Sequence, residues 1–222
     1  MMLRRLTVFL FAALMAAPDA MATEEPDYEV LLETKHYEIR RYKPYIVAEV
    51  DVEGDTGSAG NAAFRILAGY IFGNNEPGEK MAMTAPVESQ QKEQGEKMAM
   101  TSPVLSDAPD AGKTEYTYAF VMEKKYTLDT LPVPLDPRIR IYEKPERTVA
   151  VRRFSGRWSE GNYRKHETAL LEALATDRVS TTGAPMFARY NAPFTPWFMR
   201  RNEIQIEVAP DGLYSGVVRS TD

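Results

Sequence analysis

The chain has 222 residues, 27 basic and 32 acidic, for a net charge of −5, with no Cys and two His. One domain with a substantial core fits this length. The acidic balance disfavours a phosphate-backbone partner, and the missing Cys excludes disulfides, thiolate metal sites and a cysteine nucleophile.

Arg4 and Arg5 precede an apolar run from Leu6 to Ala17, and Ala20-Met21-Ala22 supplies small residues for a cut before Thr23. This is the layout of a secretory signal peptide over residues 1–22. The run is shorter than the ~20 residues a spanning helix needs. Its loss removes two Arg and one Asp, which moves the net charge from −5 to −6. The mature protein is therefore expected to be periplasmic or secreted, with no membrane span. Residues 23–27 read as a flexible leader, 28–209 as the domain and 210–222 as a C-terminal tail.

Tyr28–Arg41 and Tyr45–Val52 are the first expected strands. The second alternates, with Ile46, Ala48, Val50 and Val52 on one face and Val47, Glu49 and Asp51 on the other. After Gly54, with Asp55 or Thr56 as cap, Ala63, Ile66, Leu67, Tyr70 and Ile71 recur at helical spacing, and Gly73 and Asn74-Asn75 end the helix. Glu79-Lys-Met-Ala-Met-Thr-Ala-Pro-Val87 recurs as Glu96-Lys-Met-Ala-Met-Thr-Ser-Pro-Val104, which predicts a hairpin or two strands joined by an exposed loop. Pro86 and Pro103 should mark strand ends, because proline cannot donate to a ladder. Tyr116–Met122 alternates as a strand, and Pro132, Pro134 and Pro137 mark a surface crossover.

The second half repeats the plan of the first. Strand residues 138–142 run into Glu143-Lys144-Pro145, then Val149-Ala150-Val151, Gly156, and a helix from about Ser159 with Tyr163, Leu170, Leu171 and Leu174 apolar. Ile204, Ile206 and Val208 form a last strand. Strand, Lys-Pro turn, strand, Gly and helix occur in the same order in both halves. This predicts an internal duplication of two units around a shared cleft.

Catalytic motifs for metalloprotease, serine hydrolase or phosphate-loop chemistry do not occur, so a binding protein is expected rather than an enzyme. Met81, Met83, Met98 and Met100 are the most unusual feature. Thioethers of this kind either fill an irregular core or hold Cu(I) or haem iron. His36 and His166 are the candidate iron ligands. Arg65 is a candidate partner for a carboxylate such as a haem propionate. The apolar segment Tyr190–Met199, with Trp197 and Phe198, either forms the lip of a pocket or plugs one end of the core.

Tyr37-Glu-Ile-Arg-Arg-Tyr42, Lys80-Met-Ala-Met-Thr-Ala-Pro-Val87, Ala188-Arg-Tyr-Asn-Ala-Pro193 and Arg200-Arg-Asn-Glu203 resemble, in order, the motifs of the SOUL haem-binding family. The resemblance runs from about Tyr28 to Val208. It implies an α+β fold of two pseudo-symmetric halves, each with a helix packed on antiparallel strands, in a distorted barrel-like body. That fold is also similar to the ligand-binding domains of bacterial multidrug-responsive regulators. Some animal members carry a His directly after Y-E-I-R, where this chain has Arg41. The implied function is non-covalent binding of haem or a related tetrapyrrole, as carrier or buffer, in an apolar groove beside the first helix. Phe64, Arg65, Leu67, Tyr70 and Ile71, with Trp197 as a lid, would line that groove. The alternatives are another apolar ligand, a methionine Cu(I) site, or a hydrolase on the same fold.

Overall fold

The computed structural model describes residues 24–54, 56–76, 95–107, 115–192 and 194–209. The signal-peptide segment, the tail at 210–222 and the first copy of the methionine repeat lie outside these residues.

The elements are β1 (Tyr28–Glu33), β2 (Glu38–Tyr42), β3 (Tyr45–Glu53), α1 (Thr56–Ile71), β4 (Asn75–Glu76), β5 (Val104–Asp107), β6 (Glu115–Val121), β7 (Val133–Pro134), β8 (Arg140–Lys144), β9 (Arg147–Phe154), α2 (Glu160–Thr176), β10 (Met186–Arg189) and β11 (Asn202–Glu207). Nine strands form one antiparallel sheet in the order β1-β2-β9-β11-β10-β5-β6-β3-β8, and β4 pairs with β7 separately.

That order makes the duplication visible. β3-α1-β5-β6 and β9-α2-β10-β11 are equivalent units, joined where β5 pairs with β10. The strand preceding each unit crosses to the other: β2 pairs with β9, and β8 pairs with β3. The molecule is thus an α+β fold whose single curled sheet forms a half-barrel.

Both helices cover the same sheet face at opposite ends. Ala48, Val50, Val52, Tyr116, Tyr118 and Phe120 pack under α1, and Ala150, Phe154, Phe187, Ile204 and Ile206 pack under α2. Period-2 alternation sends the intervening residues to the other face, where Tyr42, Val47, Leu105, Val121, Val149 and Val151 form a third cluster inside the curl. Because both faces carry buried residues, the sheet buries more of the chain than a one-sided meander would.

Three expectations are corrected here. The strand expected from Tyr28 to Arg41 is two strands, because Thr34 builds a turn. Its Oγ1 accepts from the backbone N–H groups of His36 and Tyr37 and donates to the Tyr37 carbonyl. The second copy of the repeat is irregular from Gly95 to Pro103 and becomes a strand only at Val104. Residues 24–27 are not a free leader. The Glu24 carbonyl accepts from Ser102 N–H, the Asp27 carbonyl accepts from Lys43 N–H, and Glu25 meets the Arg201 guanidinium at 2.9 Å.

Candidate functional site

Beside α1, over β5, β6 and β10 in the middle of the sheet, lies a cavity of about 310 Å³. Phe64 of α1, Val104 of β5, Tyr118 and Phe120 of β6, and Trp158 just before α2 supply its apolar surface. Gly60 brings α1 close to the floor. A Cβ there would lie 3.1 Å from the Tyr118 hydroxyl and 3.8 Å from Arg189 Nη1. Met100 and Phe194 are exposed members of the lining, at 40% and 89%, so the cavity opens to solvent beside them.

The walls are held in place. Trp158 Nε1 donates to Asn202 Oδ1 at 2.8 Å, and the Arg200 guanidinium lies 4.1 Å from the indole centroid. Phe64 meets Phe120 edge-on at 5.7 Å. Thr101 Oγ1 donates to the Val121 carbonyl, and Ser102 Oγ donates to the Tyr190 carbonyl at 3.2 Å. Two side-chain bonds therefore pin the end of the second repeat copy along one wall.

Arg189 is the ionisable side chain at the centre. Its guanidinium lies 4.9 Å from the Phe187 ring centroid, 5.2 Å from Trp158 and 6.0 Å from Tyr118. Burial lowers its pKa from the usual arginine value, opposed by the adjacent Tyr118 hydroxyl and reinforced by Arg200. Burial in turn raises the Tyr118 pKa, which Arg189 draws back down. Among the described residues lining the cavity there is no Asp or Glu.

Of the groove residues expected from the sequence, Phe64, Arg65, Leu67, Tyr70, Ile71 and Trp197, only Phe64 lines this cavity. Leu67, Tyr70 and Ile71 are 0%, 0% and 1% exposed in the core beneath α1. Their apolar stripe is consumed by the sheet, and the Tyr70 hydroxyl donates to the Pro132 carbonyl at 2.7 Å. The groove expected on that stripe is therefore filled by the protein's own strands. Arg65 is exposed on α1 and is not part of the lining. Trp197 is half-exposed in a 3₁₀ turn, Trp197–Met199, where its carbonyl accepts from Gly156 N–H. It packs edge-on against Phe198 outside the cavity; the preceding loop contributes Phe194 instead.

His36 sits in the exposed β1–β2 turn, in a separate shallow cleft with Arg152 and Asp177. His166 stacks on Phe154 at 4.2 Å. Burial, with Arg152 and Lys165 nearby, lowers its pKa from 6.5. Neither histidine reaches the cavity, and no group of three or more His, Asp or Glu side chains suited to a metal occurs among the described residues. Met98 is buried in the α1 core, with its N–H bonded to the Ile71 carbonyl, whereas Met100 faces the cavity. Met81 and Met83 lie outside the described residues.

Sequence reasoning missed Gly60, Tyr118, Trp158 and Arg189 as site residues. The signal for Arg189 was available, since it stands in the quoted Ala188-Arg-Tyr-Asn-Ala-Pro193 motif. The other three come from separate segments that only the sheet order brings together.

A family model described as SOUL heme-binding protein matches residues 23–94 and 89–207. A mouse (Mus musculus) protein named Heme-binding protein 2 is 28% identical over 181 residues, covering 77% of this chain and 81% of its own. The human (Homo sapiens) protein of the same name is 30% identical over 179 residues, covering 75% and 79%. Among solved structures, the C-terminal domain of EcmrR superposes with a TM-score of 0.55 at 9% identity, covering 82% of this chain and 98% of that one. A protein described as a hydrolase from Listeria innocua gives 0.51 at 11%, covering 81% and 94%. At these identities the structural likeness concerns the fold alone. Among the described residues, no helix is long and apolar enough to cross a membrane.

Proposed function

Because the chain belongs to the SOUL heme-binding protein family, we propose that it binds haem or a related tetrapyrrole non-covalently in the cavity beside α1, as a carrier or buffer. The observation that carries this reading is the cavity itself: aromatic walls, a guanidinium in the lining, and no carboxylate among the described lining residues. The lining fits the group in polarity. Phe64, Phe120 and Trp158 offer ring surface to a macrocycle, and Met100 is a soft donor at the mouth. The work of holding the ligand falls mainly to burial. Covering a few hundred Å² of ring at ~25 cal/mol per Å² gains several kcal/mol gross, and association costs bring this to about micromolar affinity.

A haemin titration followed by absorption tests the placement. Phe64→Asp puts a charge on the wall and is expected to weaken binding about tenfold or more. Phe72→Asp, at a residue 57% exposed and outside the lining, should leave binding unchanged. His36→Ala and His166→Ala should also leave it within about twofold, because burial rather than imidazole ligation dominates. Full affinity in Phe64→Asp would place the ligand elsewhere.

Export belongs to the same reading. It is supported by the basic start, the apolar run and the Ala20-Met21-Ala22 site. The intact mass of the protein recovered from outside the cytoplasm should correspond to a chain beginning at Thr23. A cytoplasmic species retaining Met1 to Ala22 would refute it.

A further inference from the structure

A buried guanidinium ordinarily stands beside a carboxylate, because desolvating an unpaired charge is costly. Two other interior arginines, Arg40 and Arg201, obey this. Arg40 meets Glu203 at 3.1 Å and Arg201 meets it at 2.9 Å. Arg189 does not. Its Nε is buried with no hydrogen-bond partner, its one polar neighbour is the Tyr118 hydroxyl, and the rest of its surroundings are aromatic rings and the second cation Arg200. Among the described residues lining the cavity there is no carboxylate to face it. In a chain of net charge −5, this cavity is locally electropositive.

An arrangement that leaves a planar donor fork in an apolar hole is complementary to a planar acceptor on an apolar body. We infer that Arg189 is the receptor for a carboxylate of the ligand, so that the cavity takes flat apolar acids with the acid end inward. The ligand supplies the counter-charge that the protein withholds. Tyr118, whose hydroxyl lies against Arg189, and Trp158, fixed by Asn202, hold the fork in the plane the acid would meet. Neutral and cationic flat molecules find the same walls but leave the guanidinium without a counter-charge, so the site selects by charge as well as by shape. This rests on the cavity assigned above, but it does not require iron or a macrocycle.

Two ligand pairs test it by fluorescence titration of the mature protein: protoporphyrin IX and its dimethyl ester, and pyrenebutyric acid and its methyl ester. A charge-assisted hydrogen bond in a desolvated site corresponds to about 10- to 100-fold in affinity, so each acid should bind that much more tightly than its ester. In Arg189→Met the acid and ester affinities should converge. Arg189→Lys, which keeps the charge without the fork, should retain part of the preference and remains informative if the Met variant does not fold. Equal binding of acid and ester to the wild type overturns the inference while leaving the tetrapyrrole reading in place. Preference for pyrenebutyric acid without porphyrin binding upholds the inference and removes the tetrapyrrole reading. Binding of neither pair overturns both.

Discussion

Glu203→Ala is expected to cost about 3–5 kcal/mol of folding stability, seen as a lower urea midpoint, because it strands buried charge inside the curl of the sheet. Glu203 is fully buried. Its carboxylate accepts from Arg40 Nη1 at 3.1 Å, from Arg201 Nε at 3.0 Å and from the Tyr190 hydroxyl at 2.7 Å. Burial, and then this carboxylate, raise the Tyr190 pKa well above the usual tyrosine value, so its hydroxyl stays a donor. Removing the acid leaves two guanidinium groups directed at an empty site, with Glu38 and Glu25 holding only their outer sides. The double variant Arg40→Met, Glu203→Ala should recover part of the loss, since one of the orphaned charges goes with its partner. A Glu203→Ala protein as stable as the wild type would show that the network carries no net weight in the fold.

The second large effect is expected at Leu67. Leu67→Ala should cost about 2–5 kcal/mol, the range for emptying a fully buried leucine site. Leu67 is 0% exposed among Tyr70, Ile71 and the β3 and β6 side chains. At temperatures where the variant stays folded, its ligand affinity should match the wild type, because Leu67 does not line the cavity. Thermal melts combined with the haemin titration separate the two quantities. A loss of affinity without loss of stability would return the ligand to the α1 stripe.

Much of the fold was legible because periodicity reports burial. The alternation in β3 and the i, i+3, i+4 spacing in α1 both mark residues that the sheet and helix do bury. The Lys-Pro turns at Lys43-Pro44 and Lys144-Pro145 marked the duplication, since each precedes an equivalent strand. The site was less legible for the same reason. An apolar helical stripe looks identical whether it faces a ligand or its own sheet, and Leu67 faces the sheet. The cavity lies at the edge of that stripe, where Gly60 and Phe64 meet β6 and β10, and this depends on strand order. Glu203 was equally hidden: in Arg200-Arg-Asn-Glu203 it reads as one of several surface charges, and only the curl of the sheet buries it. Trp197 illustrates the opposite error, since an aromatic residue in a proline-containing loop can stand outside the body it borders.

The crossing of β2 and β8 has a consequence for how the chain reaches this state. Ile39 pairs with Ala150 and Ala48 with Ile141, so both seams join residues roughly a hundred positions apart. Loop closure over such spans precedes any reward from pairing, which makes folding slow compared with a chain of local hairpins. Neither duplicated unit is a self-sufficient piece. Cut in the proline-rich crossover at 128–137, the N-terminal fragment leaves β3 without β8 and β2 without β9, with their ladder edges bare. The ancestral-looking halves are thus interlocked into one cooperative body, and the order in which they emerge from synthesis leaves β2 waiting for a partner made roughly a hundred residues later.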